Sequence, residues 1–417
     1  MSYSAAQRML LVAAVLITWS CHSTSPMAIH SLRNMRPGNV PKTDSSLPSY
    51  GTFNQNLDEG DIMPAELQEK ISKEKKNGYT IAFSNATITI RRNKRQAFYA
   101  VDYFWQNGVV PYRFDSNFSE HTKDVIKKSM KKWEKDTCIS FIPDSNRKEA
   151  LIFVRGSSCS SYIGHMPRWK KQPVTINYNC EHIHTISHEI GHALGFLHTH
   201  TRTDRDHYIA VKFKNIQNGL SSNFMRTSQQ RNYNYGLPYD YGSVMHYGKN
   251  AFAKNSDLTI IPRISLYEDT IGSGTGPTFI DLLMMNAHYK CLDRCKYHIR
   301  CVNDGYQHPR DCNRCLCPSG YGGRYCEERA YSSGCGGNLR ATSEWQVLSA
   351  QMGKYGTYND DMSYCYWWIQ AEKHEVIRVE ITSLSGSCSE GCIYGGLELK
   401  ANADKRITGY RITVALI

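Results

Sequence analysis

The chain of 417 residues has no apolar run long enough to cross a bilayer. Its most apolar stretch, Met9 to Trp19, falls well short of the ~20 residues a spanning helix needs, which excludes a stable membrane span. Also missing is any stripe of Lys and Arg interleaved with aromatics, the footprint of a nucleic-acid surface. The net charge of +12, from 50 Lys and Arg against 38 Asp and Glu, therefore reads as solvated surface, with an attraction to acidic substrates or matrix as its one functional reading. Large apolar side chains are scarce from His22 until Ile81, so that stretch cannot bury a core of its own. Cysteine, by contrast, is plentiful. Fifteen cysteines and 27 tyrosines point to a disulfide-bonded protein of an oxidising, extracellular compartment.

Residues 1–21 read as a secretory leader, with Arg8 as the positive segment and Met9 to Trp19 as the apolar one. The cleavage point lies between Ser20 and Ser23. Removal takes Cys21 with it and leaves fourteen cysteines, an even number that can all pair. Residues 22–95, rich in Ser, Pro, Asn and Lys, read as a removable pro-segment. It ends in Arg91-Arg92-Asn93-Lys94-Arg95, a basic run placed where the composition changes. A trypsin-like or furin-like protease, whose acidic pocket selects Arg and Lys, is expected to cut after Arg95. Asn85-Ala86-Thr87 and Asn117-Phe118-Ser119 are glycosylation sequons. The second also opens a helix, with Ser119 as its N-cap.

From Gln96 the chain becomes globular. Val109 to Phe114, Ile139 to Ile142 and Leu151 to Val154 read as strands. Glu120 to Asp136 carries Val125, Ile126, Met130 and Trp133 at helical spacing with lysines between them, an amphipathic helix packed on a sheet.

The chemistry is concentrated in His188-Glu189-Ile190-Gly191-His192-Ala193-Leu194-Gly195-Phe196-Leu197-His198. Four residues apart on a helix, His188 and His192 project from one face and can share a metal ion. Glu189 sits where a carboxylate reaches a metal-bound water without being a ligand. Gly195 lets the chain leave the helix sharply and return His198 as a third ligand. The whole run matches the H-E-x-x-H-x-x-G-x-x-H signature of zinc proteases rather than its shorter core. Downstream lies Tyr239-Asp240-Tyr241-Gly242-Ser243-Val244-Met245-His246-Tyr247. From the residues alone, Tyr247 as a buried phenol with His246 as a further ligand, and Tyr247 as the ligand itself, stand equal.

Ser243-Val244-Met245-His246-Tyr247 resembles the Met-turn of the metzincins in its astacin form. The run from Thr201 to Tyr208 resembles the segment just past the third histidine in astacins. The resemblance covers about half the chain, from near Trp105 to Cys291. It implies an α+β, two-lobed catalytic domain over residues 96–293, with a twisted mixed sheet and helices above a mostly irregular lobe. It further implies one zinc ion held by His188, His192 and His198, with Tyr247 as a weaker ligand and as a stabiliser of the oxyanion. Met245 would form the apolar floor and Glu189 would be the general base. Disulfides Cys138–Cys291 and Cys159–Cys180 are implied by the same pattern. Substrate is expected to lie extended along the sheet edge near Ser161 to His165, where His165 replaces the Arg of many members.

The sequence departs from the family at two further places. Astacins usually carry Glu after the third histidine, where it anchors the freed N-terminus; here the position is Thr199, and the expected N-terminus, Gln96, can cyclise. The pro-segment's Phe-x-Gly-Asp switch reads Asp58-Glu59-Gly60-Asp61, keeping Asp61 as a zinc-blocking ligand of the pro-form without its apolar anchor.

Beyond Cys291, residues 294–327 hold Cys295, Cys301, Cys312, Cys315, Cys317 and Cys326 and resemble an EGF-like module whose connectivity stays open. Residues 335–417 resemble a CUB-like β-sandwich opened by Cys335 and Cys365. The run Ile412 to Ile417 stops short of that module's usual final strands, so an incomplete sandwich is expected. The pairing of Cys388 and Cys392 stays open. The expected activity is that of a secreted zymogen, a zinc endopeptidase acting on extracellular proteins such as those of matrix, cuticle or eggshell. The alternative is an inert protease fold whose C-terminal modules bind matrix.

Overall fold

A computed structural model describes residues 103–413 apart from 145–148, 168, 229–231, 273, 353–361, 373–374, 386–389 and 394. It also gives the backbone of three short strands, Leu11–Leu16, Ala82–Ser84 and Thr87–Thr89. Asp61, Asn85, Arg95, Gln96 and Cys388 lie outside the described residues.

The expected catalytic region is built on a five-stranded sheet. Its strands are β1 (Val109–Phe114), β2 (Ser140–Pro143), β3 (Ala150–Arg155), β4 (Ser160–Ser161) and β5 (Lys171–Ile176). The order across the sheet is β2-β1-β3-β5-β4. All neighbours run parallel except β4, which pairs antiparallel with β5 at the edge. Central parallel strands are covered on both faces, and Val110, Leu151, Phe153, Val174 and Ile176 are fully buried.

Helix α1 (Glu120–Glu134) begins at Ser119, whose hydroxyl accepts from the Thr122 amide at 3.1 Å. It ends two residues before the expected Asp136. Its stripe of Val125, Ile126, Met130 and Trp133 is buried, and the Trp133 indole donates to the Ser187 carbonyl of α2 (Ile183–Ala193) at 2.9 Å. Helix α3 (Phe279–His288) closes the region with a capping box between Thr278 and Asp281. The disulfide Cys138–Cys291 joins the chain after α1 to the chain after α3, and Cys159–Cys180 closes the loop around β4 and β5.

Two apolar clusters divide this region. One lies between the sheet and the three helices. The other gathers Ile209 and Ile260 from a short two-stranded ribbon and Phe224, Tyr239, Tyr241, Tyr247 and Tyr267 from 3-10 turns and loops. Val244 and Met245 belong to the first cluster and Tyr247 to the second, so this turn bridges the two lobes.

Next in the chain, the cysteine-rich segment pairs Cys295–Cys312, Cys301–Cys315 and Cys317–Cys326. It is fastened to the catalytic region by Arg310, which donates to the carbonyls of Glu134, Thr137 and Ile139. The last region carries the disulfide Cys335–Cys365 and four strands, β6 (Gly337–Arg340), β7 (Tyr364–Gln370), β8 (Gly396–Lys400) and β9 (Tyr410–Ile412). Where a sandwich is expected, the described residues form a single sheet. The strand Leu11–Leu16 lies inside it, antiparallel to both β7 and β8. Cys392 is buried.

Candidate metal centre

Helix α2 is buried from Ile186 to Ala193, with Glu189 and His192 almost without exposure. Its i, i+4 spacing aims His188 and His192 the same way. The helix ends at Ala193, and Gly195, at φ +111°, turns the chain into a region that side-chain-bearing residues avoid. The reversal brings His198 back against the helix, as the spacing predicts.

The three Nε2 atoms lie 3.0–3.2 Å from one another. His188 Nδ1 lies 2.6 Å from the Val244 carbonyl and His192 Nδ1 lies 2.7 Å from the Phe196 carbonyl. A carbonyl can only accept, so each Nδ1 carries the proton and each of these two Nε2 atoms presents a lone pair inward. Converging lone pairs at this distance repel unless a cation sits between them. Bonds of about 2.0–2.1 Å in a tetrahedral arrangement require ligand nitrogens about 3.3 Å apart, close to the spacing seen. Within the described residues these three form the one group of His, Cys, Asp or Glu placed to hold a metal ion. The donor set fits zinc.

Tyr247 is buried beside this group, its ring centroid 4.5 Å from that of His198 and stacked at 4.0 Å on His200. His246 points elsewhere. Its Nε2 is 2.6 Å from the Tyr239 hydroxyl and its Nδ1 is 2.7 Å from the Tyr247 carbonyl. Burial pulls its pKa down to about 4, so it is neutral at physiological pH. Of the two options left open by the residues, His246 as a ligand is the one this geometry disfavours.

Thr199, the position that departs from the family, is fully engaged. Its amide donates to the Met245 carbonyl at 2.9 Å, and its hydroxyl donates to Ser243 Oγ at 2.9 Å. Ser243 in turn donates to Asp281 at 2.6 Å. The other Asp281 oxygen accepts from the Val244 amide at 2.9 Å. A buried carboxylate thus anchors the turn that orients His188 and carries Met245.

At the sheet edge, β4 leads into a loop held by the buried Gln172, which accepts from the Met166 amide and donates to the Gly164 carbonyl. There His165 Nε2 stands 3.2 Å from Glu149, and its ring rests 4.6 Å from Trp105. Asn117 is exposed. Sequence reading missed Asp281, Asp240 and His200. The Thr278–Asp281 capping spacing was visible, but its link to Ser243 was not, because that link depends on how distant segments meet.

A sequence profile of the peptidase family described as Astacin matches residues 98–290. Zinc metalloproteinase nas-31 of Caenorhabditis elegans is 35% identical over 86% of this chain and 58% of its own length. Zinc metalloproteinase nas-26 of the same organism is 33% identical over 82% of this chain and 83% of its own length. The chain therefore spans less than two thirds of nas-31, and the same holds for nas-29, of which it covers 61%. Among solved structures, high choriolytic enzyme 1, a hatching enzyme zinc-protease of the medaka fish Oryzias latipes, is 30% identical. That match covers 47% of this chain and 98% of the other, with a TM-score of 0.43. No helix among the described residues is long and apolar enough to cross a membrane.

Proposed function

We infer that this chain, which belongs to the astacin family of zinc metalloproteinases, is a secreted zinc endopeptidase made as a zymogen and acting on extracellular proteins. The observation that carries this reading is the inward convergence of three Nε2 atoms, two of them with their protons fixed on the opposite nitrogen by backbone carbonyls.

His188, His192 and His198 would hold the metal, with Tyr247 as a weaker ligand. When bound, zinc supplies a Lewis acid and lowers the pKa of a coordinated water toward neutrality. Glu189, one residue beyond His188 on the same helix, takes the proton of the attacking water and delivers it to the departing amine. The Tyr247 hydroxyl donates a hydrogen bond to the substrate carbonyl oxygen as it gains charge. The peptide lies extended along the outer edge of β4, adding a strand to the sheet.

The flanking regions take roles in keeping with this. Residues 1–21 are the leader and 22–95 the pro-segment, cut after Arg95 by a processing protease. Asp61 blocks the zinc in the pro-form, and Asn85 and Asn117 carry glycans. The hydroxyl of Thr199 is spent on Ser243, which supports an N-terminus at Gln96 held without a salt bridge at this position. The cysteine pairing of residues 294–327, first to third, second to fourth and fifth to sixth, supports an EGF-like module. The Cys335–Cys365 bridge and its strands support a CUB-like one. Matrix, cuticle or eggshell proteins are the substrate class we favour.

The test is to process the protein at Arg95 and measure peptide cleavage with and without a zinc chelator. Chelator-sensitive cleavage is expected, and its absence would replace this reading with an inert fold whose modules bind matrix. Glu189→Ala should retain one zinc per chain by metal analysis and lose turnover by at least a factor of about 100. Turnover near wild type in that variant would remove Glu189 from its role.

A further inference from the structure

The last region of the chain does not hang free. Its segment Asn402 to Arg411 is seated on the back of the turn that leads into the metal centre. Asp240, at the start of that turn, is 1% exposed. Its two carboxylate oxygens accept from the Thr408 amide at 3.1 Å and the Thr408 hydroxyl at 3.0 Å. The Gly242 amide donates to the same carboxylate at 3.2 Å. The approach leaves no room for a side chain at Gly242, where a Cβ would lie 2.5 Å from Thr408 Cγ2.

A second set of contacts runs alongside. The Arg411 amide donates to Thr270 Oγ1 at 2.9 Å, and Asn402 Nδ2 donates to the Tyr267 hydroxyl at 2.8 Å. The Tyr410 ring lies 4.6 Å from Tyr267, which stacks at 4.0 Å on Tyr241. Asp240 is therefore held directly from outside the catalytic region, and Tyr241 only through Tyr267. Three residues further on, Val244 orients His188 through its carbonyl, and Tyr247 comes after it.

We infer that the C-terminal module is a positioning element of the metal centre, with Thr408 acting through Asp240 to hold the turn from Asp240 to Tyr247 in register with α2. Thr408 touches neither metal nor substrate; it is a positioning residue. Without it a buried carboxylate loses two of its donors, and such a group either draws in water or takes up a proton. Either outcome loosens the turn on which the His188 tautomer and the Tyr247 position depend. A module of a kind usually read as a binding device would then set the turnover of the enzyme it is attached to.

This inference rests on the protease reading, and its test separates the two. In the full processed chain, Thr408→Val removes the hydroxyl at constant shape, and Thr408→Ser keeps it. For Thr408→Val we expect kcat to fall about tenfold, the order set by losing one hydrogen bond to a buried carboxylate. KM should stay within about twofold and zinc content should be unchanged, while Thr408→Ser restores kcat. Amide hydrogen exchange at 244–247 should quicken about tenfold in the valine variant alone. That readout needs no substrate, so it tests the docking even if the wild type proves inactive, which would count against the protease reading only. Wild-type kcat with unchanged exchange in Thr408→Val would overturn the inference, as would a KM change at constant kcat. Should Thr408→Val not be secreted, Thr408→Ala removes the same hydroxyl from Asp240 without placing a methyl beside the carboxylate and is read in the same two measurements.

Discussion

Asp281 accepts hydrogen bonds from Ser243, Val244 and Thr278, yet burial first, and the nearby charge of Asp240 second, push its pKa from near 3.8 up to about 6. The folded chain thus holds this proton more tightly than the unfolded chain does. The resulting stabilisation is complete below the unfolded value of about 3.8 and is lost as pH rises toward about 6. Asp281→Asn removes the titration. Its melting temperature, measured across that window, should depend on pH less steeply than the wild type's. Equal slopes would show that Asp281 does not hold the proton. Residues of this kind were the least legible in the sequence. His188, His192 and His198 declared themselves because one helix and one glycine fix their geometry locally. The hydrogen-bond chain from Thr199 through Ser243 to Asp281 spans three distant segments, and no local spacing encodes it.

Elements with a strong period were legible for the same reason. Helix α1 shows apolar residues at helical spacing, and the strands β1, β2 and β3 form near where their apolar runs predict. β1 spans the expected residues, β2 and β3 differ from expectation by one residue at each end, and α1 stops two residues early. The lower lobe was not legible, since its core is assembled from tyrosines and isoleucines on short strands, 3-10 turns and loops that share no period. What binds α1 to α2 is legible only in part. The stripe marks Trp133 as core, but not that its indole donates to the Ser187 carbonyl one residue before His188. Trp133 is fully buried and also meets Phe196 edge-on at 5.8 Å. Trp133→Ala should cost about 3–5 kcal/mol of stability by denaturant titration, as large core truncations do. Because α2 carries two ligands, zinc affinity should fall along with it. A variant with full zinc affinity would show that α2 is held in place without this contact.

At the scale of the whole molecule, one segment has two readings that exclude each other in the mature protein. Leu11–Leu16 is the apolar heart of the proposed leader, and it is also the middle strand of the C-terminal sheet, antiparallel to β7 and β8. An apolar run of strand length fits there because β7 and β8 otherwise face each other across an unfilled strand position. Their amides and carbonyls on that side would lack partners, and buried backbone groups without partners are costly. If residues 1–21 leave on secretion, the sheet is divided into the pairs β6–β7 and β8–β9, and two inner edges are opened. We expect the secreted protein, sequenced from its N-terminus, to begin beyond Ser20. In that protein, amides along Tyr364 to Gln370 and Gly396 to Lys400 should exchange markedly faster than those of β3 and β5. Adding a peptide of residues 9–18 should slow that exchange and raise the melting temperature. An N-terminus upstream of Leu11 with slow exchange in both strands would instead make this segment a retained part of the fold and refute the leader. The contacts of Thr408 with Asp240 lie next to β9, on the far side of β8 from this position. Loss of the strand should therefore soften the module's interior before it loosens the grip on the metal-centre turn. Exchange at 244–247 should stay slow in the secreted protein while exchange in β7 is fast.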